Sequence, residues 1–268
     1  MRLPIDAEVR ERVDRLELPW NEFGIDPYGI SKEYLGAYFS ALRFFYRHYF
    51  SVESHGVHHV PKRGRVMLVG NHSGGFALDG IMVIGSMFFE MDPPRVAQAM
   101  AEKFLQKVPF ASQISSRLGH LTGLPEHAER LLADERMLMV FPEGVRGTAK
   151  LYRERYSLVQ FGTGFMRLAQ KMQTPIVPFA FMGGGEAVPT ISNAVTLGKL
   201  VGLPYIPVTP WLVAMPIPAK LEVYYSEPMF FEGTGSEEDE VVHANVEKVK
   251  DRIASLIDMG KKRRRGEP

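Results

Sequence analysis

Apolar positions along this 268-residue chain form short runs that are separated by segments with helical spacing. The runs at 66–69, 137–141 and 176–181 are apolar almost throughout and predict strands buried on both faces, as in a parallel sheet. The run at 221–225 alternates apolar and polar positions, which predicts an edge strand.

Between these predicted strands, apolar residues recur at the spacing of a helix. Residues 124–135 begin with a proline at a first-turn position, which favours a helix start. A second helix is indicated by apolar residues three or four positions apart: Phe161, Phe165, Leu168 and Met172. This alternation predicts an α/β fold with a mostly parallel central sheet flanked by helices.

The two ends of the chain add helices outside this alternation. Residues 5–16 predict a charged helix and residues 32–50 a strongly aromatic one. Residues 241–258 predict a closing amphipathic helix, after which we expect a basic KKRRR segment to fray. We divide the chain into an N-terminal helical segment (1–54), an α/β domain (55–260) and a basic tail (261–268).

Composition narrows the class of protein. Lys and Arg number 32 against 31 Asp and Glu, so no overall basic field favours nucleic-acid binding. The absence of cysteine excludes disulfides and thiolate metal sites and fits a reducing compartment. The charged start does not resemble a signal peptide, and no apolar run reaches the roughly 18 residues of a membrane span. We expect a soluble or surface-bound protein.

Small and polar residues follow each predicted buried strand, as NHSGG, PEGVRGT and GGGE. Ligands in open α/β sheets bind at the carboxyl ends of the strands, so three such loops at one edge would surround one site. His72 lies in the first loop, where it either serves chemistry or caps the next helix. Asp79 follows seven residues later, which would return it to the same face if the segment were helical. Its alternative role is a carboxylate favoured by a helix N-terminus.

The ordered motifs NHSGG with a following Asp, FPEGVRGT, RERYSLVQFGTGFMRLAQ and TPIVPFAFMGGGE resemble the glycerolipid acyltransferase superfamily. This superfamily includes lysophosphatidate and glycerol-3-phosphate acyltransferases, and the resemblance points to bacterial members near the diacylglycerol acyltransferase-like branch. It covers about residues 55–230.

The resemblance implies a His72 general base that is oriented by Asp79, and a polar-head site at Glu143, Gly144 and Arg146. We also assign Asn71, Ser73 and Gly74 to substrate binding, with loop amides as candidate oxyanion donors. A histidine that titrates near neutral pH suits removal of the acceptor's hydroxyl proton.

Two features depart from the family pattern. Six residues separate His72 from Asp79, where the family commonly has four. Neither Arg117 nor Arg130 matches the family's additional arginine block. The acceptor therefore remains open between lysophosphatidate, another lysolipid and a neutral alcohol.

Two apolar segments are candidates for membrane contact. Helix 32–50 carries aromatic residues with basic neighbours, and residues 197–218 combine five prolines with apolar side chains that are costly to leave in water. Packing into the core is the alternative for both. The KKRRR segment would add attraction to anionic lipid, or would simply be solvated.

The leading hypothesis is an O-acyltransferase of phospholipid metabolism, peripheral at the cytoplasmic face of the membrane. It would use acyl-CoA or acyl-carrier protein as co-substrate, with no cofactor, metal or nucleic acid. Three alternatives remain: a lipid esterase or thioesterase using Ser73, a metal site at 55-HGVHH-59, and an inactive lipid-binding module.

Overall fold

The structure is a computed structural model that describes residues 4–73, 78–101, 117–118, 121–122, 124–200, 202–212 and 215–267. The strands of this part are β1 (Glu53–His55), β2 (Val66–Gly70), β3 (Ala97–Ala101), β4 (Leu121–Thr122), β5 (Met137–Val140), β6 (Ile176–Met182), β7 (Ser192–Ala194), β8 (Ile206–Val208) and β9 (Glu222–Tyr225). The α-helices are α1 (Ala7–Asp14), α2 (Lys32–Phe44), α3 (Leu78–Phe89), α4 (Pro125–Ala133), α5 (Val145–Thr148), α6 (Gly164–Lys171), α7 (Gly184–Ala187), α8 (Val195–Leu200) and α9 (Asp239–Arg264).

The central sheet has the strand order β1-β9-β6-β2-β5-β3-β4. Strands β6, β2, β5, β3 and β4 are parallel to their neighbours in this order, whereas β9 is antiparallel to β6 and β1 is parallel to β9. The expected α/β fold with a mostly parallel sheet is confirmed. The predicted edge position of the strand at 221–225 is wrong, because β9 lies between β1 and β6 and all its residues are buried.

Both faces of the sheet are covered, which explains the continuous apolar runs. In β2, Val66 and Leu68 face a core formed with α1, α2 and α3. Met67 and Val69 face a second core formed with α4, α6 and α9. Because side chains alternate along a strand, only an apolar run without polar interruptions can satisfy two cores.

The aromatic segment 32–50 forms α2 and a π-helical turn, Phe45–Tyr49. Its inner face packs on α3, where the rings of Phe39 and Phe88 stack with centroids 3.6 Å apart. Core packing therefore accounts for this face, while Phe44 and Phe45 on the outer side are exposed.

The C-terminal helix α9 continues to Arg264, so the expected end near residue 258 and the frayed basic segment are wrong. Arg264 binds Glu222 of β9 and donates a 2.7 Å hydrogen bond to Tyr156 Oη. Residues 261–264, which the sequence predicted to belong to a separate basic tail, are therefore the last turn of this anchored helix. Within the described residues, each helix is too short or too polar to cross a membrane.

Candidate active site

The loops after β6, β2 and β5 converge because these strands are adjacent and parallel. The main-chain N–H of His72 donates to Glu143 Oε1 over 3.0 Å, which joins the first loop to the second. Ser73 Oγ packs so closely on Gly184 that a Cβ there would lie 1.9 Å from it, which places the third loop beside the first. The predicted convergence of the three loops is confirmed.

His72 and Asp79 form a hydrogen-bonded pair in which Nδ1 lies 2.9 Å from Asp79 Oδ2. Asp79 also accepts main-chain bonds from Ser73 at 3.1 Å and Gly80 at 2.8 Å. The expected contact is present, although no continuous helix produces it: residues 71–73 are non-helical and α3 begins at Leu78. When the Asp79 carboxylate accepts from Nδ1–H, the lone pair of the imidazole lies on Nε2.

The His72 ring is held on one side by Phe141, with the ring centroids 4.0 Å apart and the planes inclined by 11°. The residue is 8% exposed. No described residue forms a hydrogen bond with Nε2. The arrangement therefore orients one nitrogen and leaves the other available for an incoming hydroxyl.

The Glu143 carboxylate bonds to other groups of the protein and does not face the open side of the site. Its side chain is fully buried, Oε1 accepts from His72, and Oε2 accepts from Val159 N at 3.0 Å and lies 2.5 Å from Lys150 Nζ. The expected direct contact of Glu143 with a polar head group is therefore not supported by the geometry. Its carboxylate instead organises the loops around His72.

Asn71 is also committed to protein groups. Its Nδ2 donates to the Phe181 carbonyl at 3.1 Å, and its Oδ1 accepts from Phe181 N at 2.8 Å. The side chain is completely buried, so it fastens the end of β2 to β6 and does not face a substrate. Gly74, the neighbouring candidate, lies outside the described residues.

Gly144 and Arg146 occupy the accessible part of the second loop. Gly144 has φ of +56°, which favours glycine, and precedes α5. Arg146 is exposed, and its described hydrogen bond is from Nη2 to Gln160 O at 3.2 Å. Of the predicted head-group residues, Arg146 is the one that presents charge to solvent.

Two residues that contact His72 were not predicted from the sequence. Lys150 is almost fully buried and donates from Nζ to the His72 carbonyl at 2.7 Å. Burial lowers the pKa of the Lys150 ammonium, and the Glu143 carboxylate partly offsets that shift. Gly147 approaches so closely that a Cβ would lie 2.8 Å from His72 Cβ. The sequence signal for both was their place in the loop that begins FPEG.

Comparison with known proteins decides the family. The acyltransferase family model matches residues 51–182, the span that holds His72, Asp79 and the second loop. The structure of the 1-acyl-sn-glycerophosphate (LPA) acyltransferase PlsC from Thermotoga maritima matches with a TM-score of 0.58, covering 86% of this chain and 82% of that one. Residues 51–182 therefore form a domain of the acyltransferase family.

Proteins from bacteria and mammals are similar in sequence to this chain. An uncharacterized protein of Mycobacterium tuberculosis (strain ATCC 25618 / H37Rv) is 33% identical over 216 residues, which cover 78% of this chain and 59% of the relative. A "DGAT1/2-independent enzyme synthesizing storage lipids" from Bos taurus is 24% identical over 77% of this chain and 59% of its own length. The chain thus spans about three fifths of these relatives. The PlsC match, at 18% identity, shows the common fold.

The two arginines outside the family pattern pack on aromatic rings. The Arg117 guanidinium lies 5.0 Å from the Tyr34 ring centroid, and that of Arg130 lies 5.4 Å from the ring of Tyr28. Within the described part of the chain, the contacts of both guanidinium groups are with these rings.

The histidines of 55-HGVHH-59 do not assemble as a metal site. His59 Nδ1 lies 3.1 Å from the Tyr225 carbonyl, and His58 is exposed. Among the described residues, the group that could hold an ion is Glu53, His55 and Glu222. Both carboxylates already bind cationic side chains, Glu53 pairing with Lys220 and Glu222 with Arg264.

Proposed function

We propose that this protein transfers a fatty acyl group from acyl-CoA or acyl-carrier protein to the hydroxyl of a glycerolipid such as lysophosphatidate. The observation that carries the proposal is the 2.9 Å pair of His72 and Asp79 at the edge where the three loops converge. The match of residues 51–182 to the acyltransferase family supports the reaction class.

The proposed reaction needs one base and no covalent enzyme intermediate. His72 Nε2 accepts the acceptor's hydroxyl proton while the oxygen attacks the thioester carbon. The C–S bond of the resulting tetrahedral species then breaks, and the proton passes from the imidazolium to the departing thiolate. Asp79 holds the imidazole in the required tautomer and stabilises its charged form, as the carboxylate does in a serine-hydrolase triad.

The structure gives little support to an esterase that would use Ser73. Ser73 Oγ is buried against Gly184 and has no hydrogen-bond partner among the described residues, His72 included, whereas an activated nucleophile should bond to its base. The direct-attack mechanism uses the His72–Asp79 pair and leaves Ser73 its main-chain contact with Asp79.

Thiol release from palmitoyl-CoA, with and without lysophosphatidate, tests the reaction. His72→Ala should abolish acceptor-dependent release, while His58→Ala, which changes an exposed histidine, should retain it. Asp79→Asn should lower kcat by about 10²- to 10⁴-fold with smaller changes in KM, because it removes the charge that fixes the tautomer. Release without acceptor would instead indicate a thioesterase, and full activity of His72→Ala would refute the mechanism.

A phosphorylated acceptor is proposed on the strength of Arg146. Its exposed guanidinium can offer two parallel donors to a phosphate at the mouth of the site. Arg146→Ala should raise KM for lysophosphatidate more than KM for the acyl thioester. Arg153→Ala is the matched control, since Arg153 is also exposed and pairs only weakly with Glu154. Equal effects on both substrates would exclude a head-group role for Arg146.

A membrane surface is the proposed source of the acceptor. We call the described residues of 190–217, which follow β6 and precede β9 along the chain, the lobe; Asn193 of the lobe donates to the Ala149 carbonyl at 2.6 Å, beside the second loop. Its outer apolar side chains are Ile191, Val195, Leu197, Leu200, Leu212, Met215 and Ile217, of which Leu200 and Leu212 are each 80% exposed. Such a surface supports peripheral attachment to a membrane, which we place at the cytoplasmic face as part of the proposal.

Flotation with anionic phosphatidylglycerol vesicles tests this attachment. Leu200→Ser combined with Leu212→Ser should reduce the vesicle-bound fraction while leaving the melting temperature unchanged. Phe230→Ser removes an equally exposed ring next to the start of β6, at the opposite edge of the sheet, and should bind normally. Equal binding of all three proteins would exclude the lobe as the membrane contact.

A further inference from the structure

Lys150 holds the main chain of His72 together with Glu143. The Lys150 ammonium donates to the His72 carbonyl at 2.7 Å and lies 2.5 Å from Glu143 Oε2. Glu143 Oε1 in turn accepts the His72 N–H at 3.0 Å. Both main-chain polar groups of His72 are therefore held by one buried ion pair, which we call the His72 clamp.

Burial makes this clamp rigid. The Lys150 side chain is 2% exposed and that of Glu143 is fully buried. A charge taken out of water is tolerated only when it is paired and its protons or lone pairs are satisfied, so neither side chain can leave without exposing the other. The His72 carbonyl accepts one of the hydrogen bonds of the buried Lys150 ammonium, so its position is fixed as well.

The clamp acts where the base must be placed accurately. The imidazole has to keep its bond to Asp79 and its stack on Phe141 while Nε2 meets a hydroxyl. Because a general base must lie within hydrogen-bond reach of the proton that it removes, a shift of the His72 main chain would misplace Nε2.

We propose that Lys150 is a positioning residue for His72, acting through the His72 carbonyl and Glu143. This inference rests on the proposed acyl transfer and adds a residue to its machinery. A purely structural ion pair would stabilise the loops equally but would not require the bond from Lys150 to His72. The positioning role and the purely structural role predict different results when the charges of Lys150 and Glu143 are removed together.

The decisive comparison uses Lys150→Met, the double variant Lys150→Met/Glu143→Gln, and Lys171→Met as a control. Lys171 lies on the surface and pairs with Glu129, so its loss should change little. Lys150→Met should lower both the melting temperature and kcat, the latter by about 100-fold, with KM values changing much less. The double variant should regain stability, since no unpaired buried charge remains, but should keep the low kcat because the His72 carbonyl still lacks its donor.

Two results would overturn the role of Lys150. One is a double variant that regains kcat together with stability, which would show that Lys150 only neutralises Glu143. The other is wild-type kcat in Lys150→Met. If Lys150→Met does not fold, the double variant still gives the decisive comparison.

A measurement that does not depend on enzyme turnover tests the role of Lys150 independently of the proposed acyl transfer. In protein labelled with ¹⁵N-histidine, the His72 signals are assigned by their loss in His72→Ala. The wild type should show a single tautomer with the proton on Nδ1, and the double variant should show a mixture. An inactive wild type with this spectral difference would refute the acyl transfer but keep the clamp, and identical spectra would refute the clamp.

Discussion

Gly147 illustrates how closely the second loop approaches the candidate base. A Cβ at this position would lie 2.6 Å from Glu143 Cβ and 2.8 Å from His72 Cβ, distances that real Cβ atoms do not show. The absent side chain is therefore what lets α5 pack against His72. Chain flexibility is not the reason, since Gly147 has no positive φ, unlike Gly144.

Gly147→Ala should lower kcat at least tenfold and lower the melting temperature, because His72 and Glu143 must both move. Gly164→Ala is the control, since nothing lies within 4 Å of a Cβ there and the position begins α6. The control should be neutral or stabilising by about 0.4–1 kcal/mol. Steady-state kinetics and thermal melts check both, and unchanged kcat in Gly147→Ala would contradict the close approach.

The sequence pointed to the correct loops but assigned two side chains to the wrong partner. Asn71 and Glu143 look like substrate ligands because they are polar and follow buried strands. The structure shows that their partners are protein groups on other loops and strands, including Phe181, Val159 and Lys150. Such contacts connect positions distant in the chain, so motif spacing could not reveal them.

At the scale of elements, Asn71 ties the end of β2 to β6. Strand β2 ends at Gly70, and the Asn71 amide continues the pairing by bonding both main-chain groups of Phe181. This places the loop that carries His72 at a set height above the sheet.

Asn71→Ala should leave the Phe181 N–H and carbonyl buried without partners, which costs about 1–3 kcal/mol of the free energy of unfolding. Asn245→Ala removes an amide on α9 that accepts an exposed hydrogen bond from Lys248, and it should change this free energy by less than about 0.5 kcal/mol. Urea denaturation measures both. A loss in Asn71→Ala no larger than in the control would show that the amide is not a cross-strand tie.

Strand β9 shows where periodicity misleads. The alternation of LEVYY is typical of a strand with one solvated face, yet Glu222 is 1% exposed. Its charge is buried because Arg264, 42 residues later, reaches it from α9. A strand's neighbours are set by pairing across the whole chain, so its own five residues could not indicate an interior position.

At the scale of the whole molecule, Arg264 connects the C-terminal helix to the sheet and to the loops. It binds Glu222 of β9 and Tyr156, and its Nη1 lies 3.5 Å from Glu186 Oε1. Burial and the bond to Glu186 raise the pKa of Tyr156, so its phenol remains a donor. The third loop is thereby linked to α9.

Arg264→Met should destabilise the fold by roughly 1.5–3 kcal/mol, because the buried Glu222 carboxylate loses a charged hydrogen bond. Lys262→Met, two residues earlier on the exposed side of α9, should have little effect. Chemical denaturation at neutral pH compares them. Equal stability of the two variants would indicate that the end of α9 is not anchored.

The sequence by itself determined the α/β class, the three strand-end loops and the pairing candidates His72 and Asp79. These follow from local patterns, since burial on both faces requires an apolar run and each loop begins where such a run ends. Only the tertiary structure decided the strand order, the interior place of β9, and the partners of Asn71, Glu143 and Lys150. These features depend on contacts between groups that are distant in the sequence and form hydrogen bonds with one another only in the folded chain.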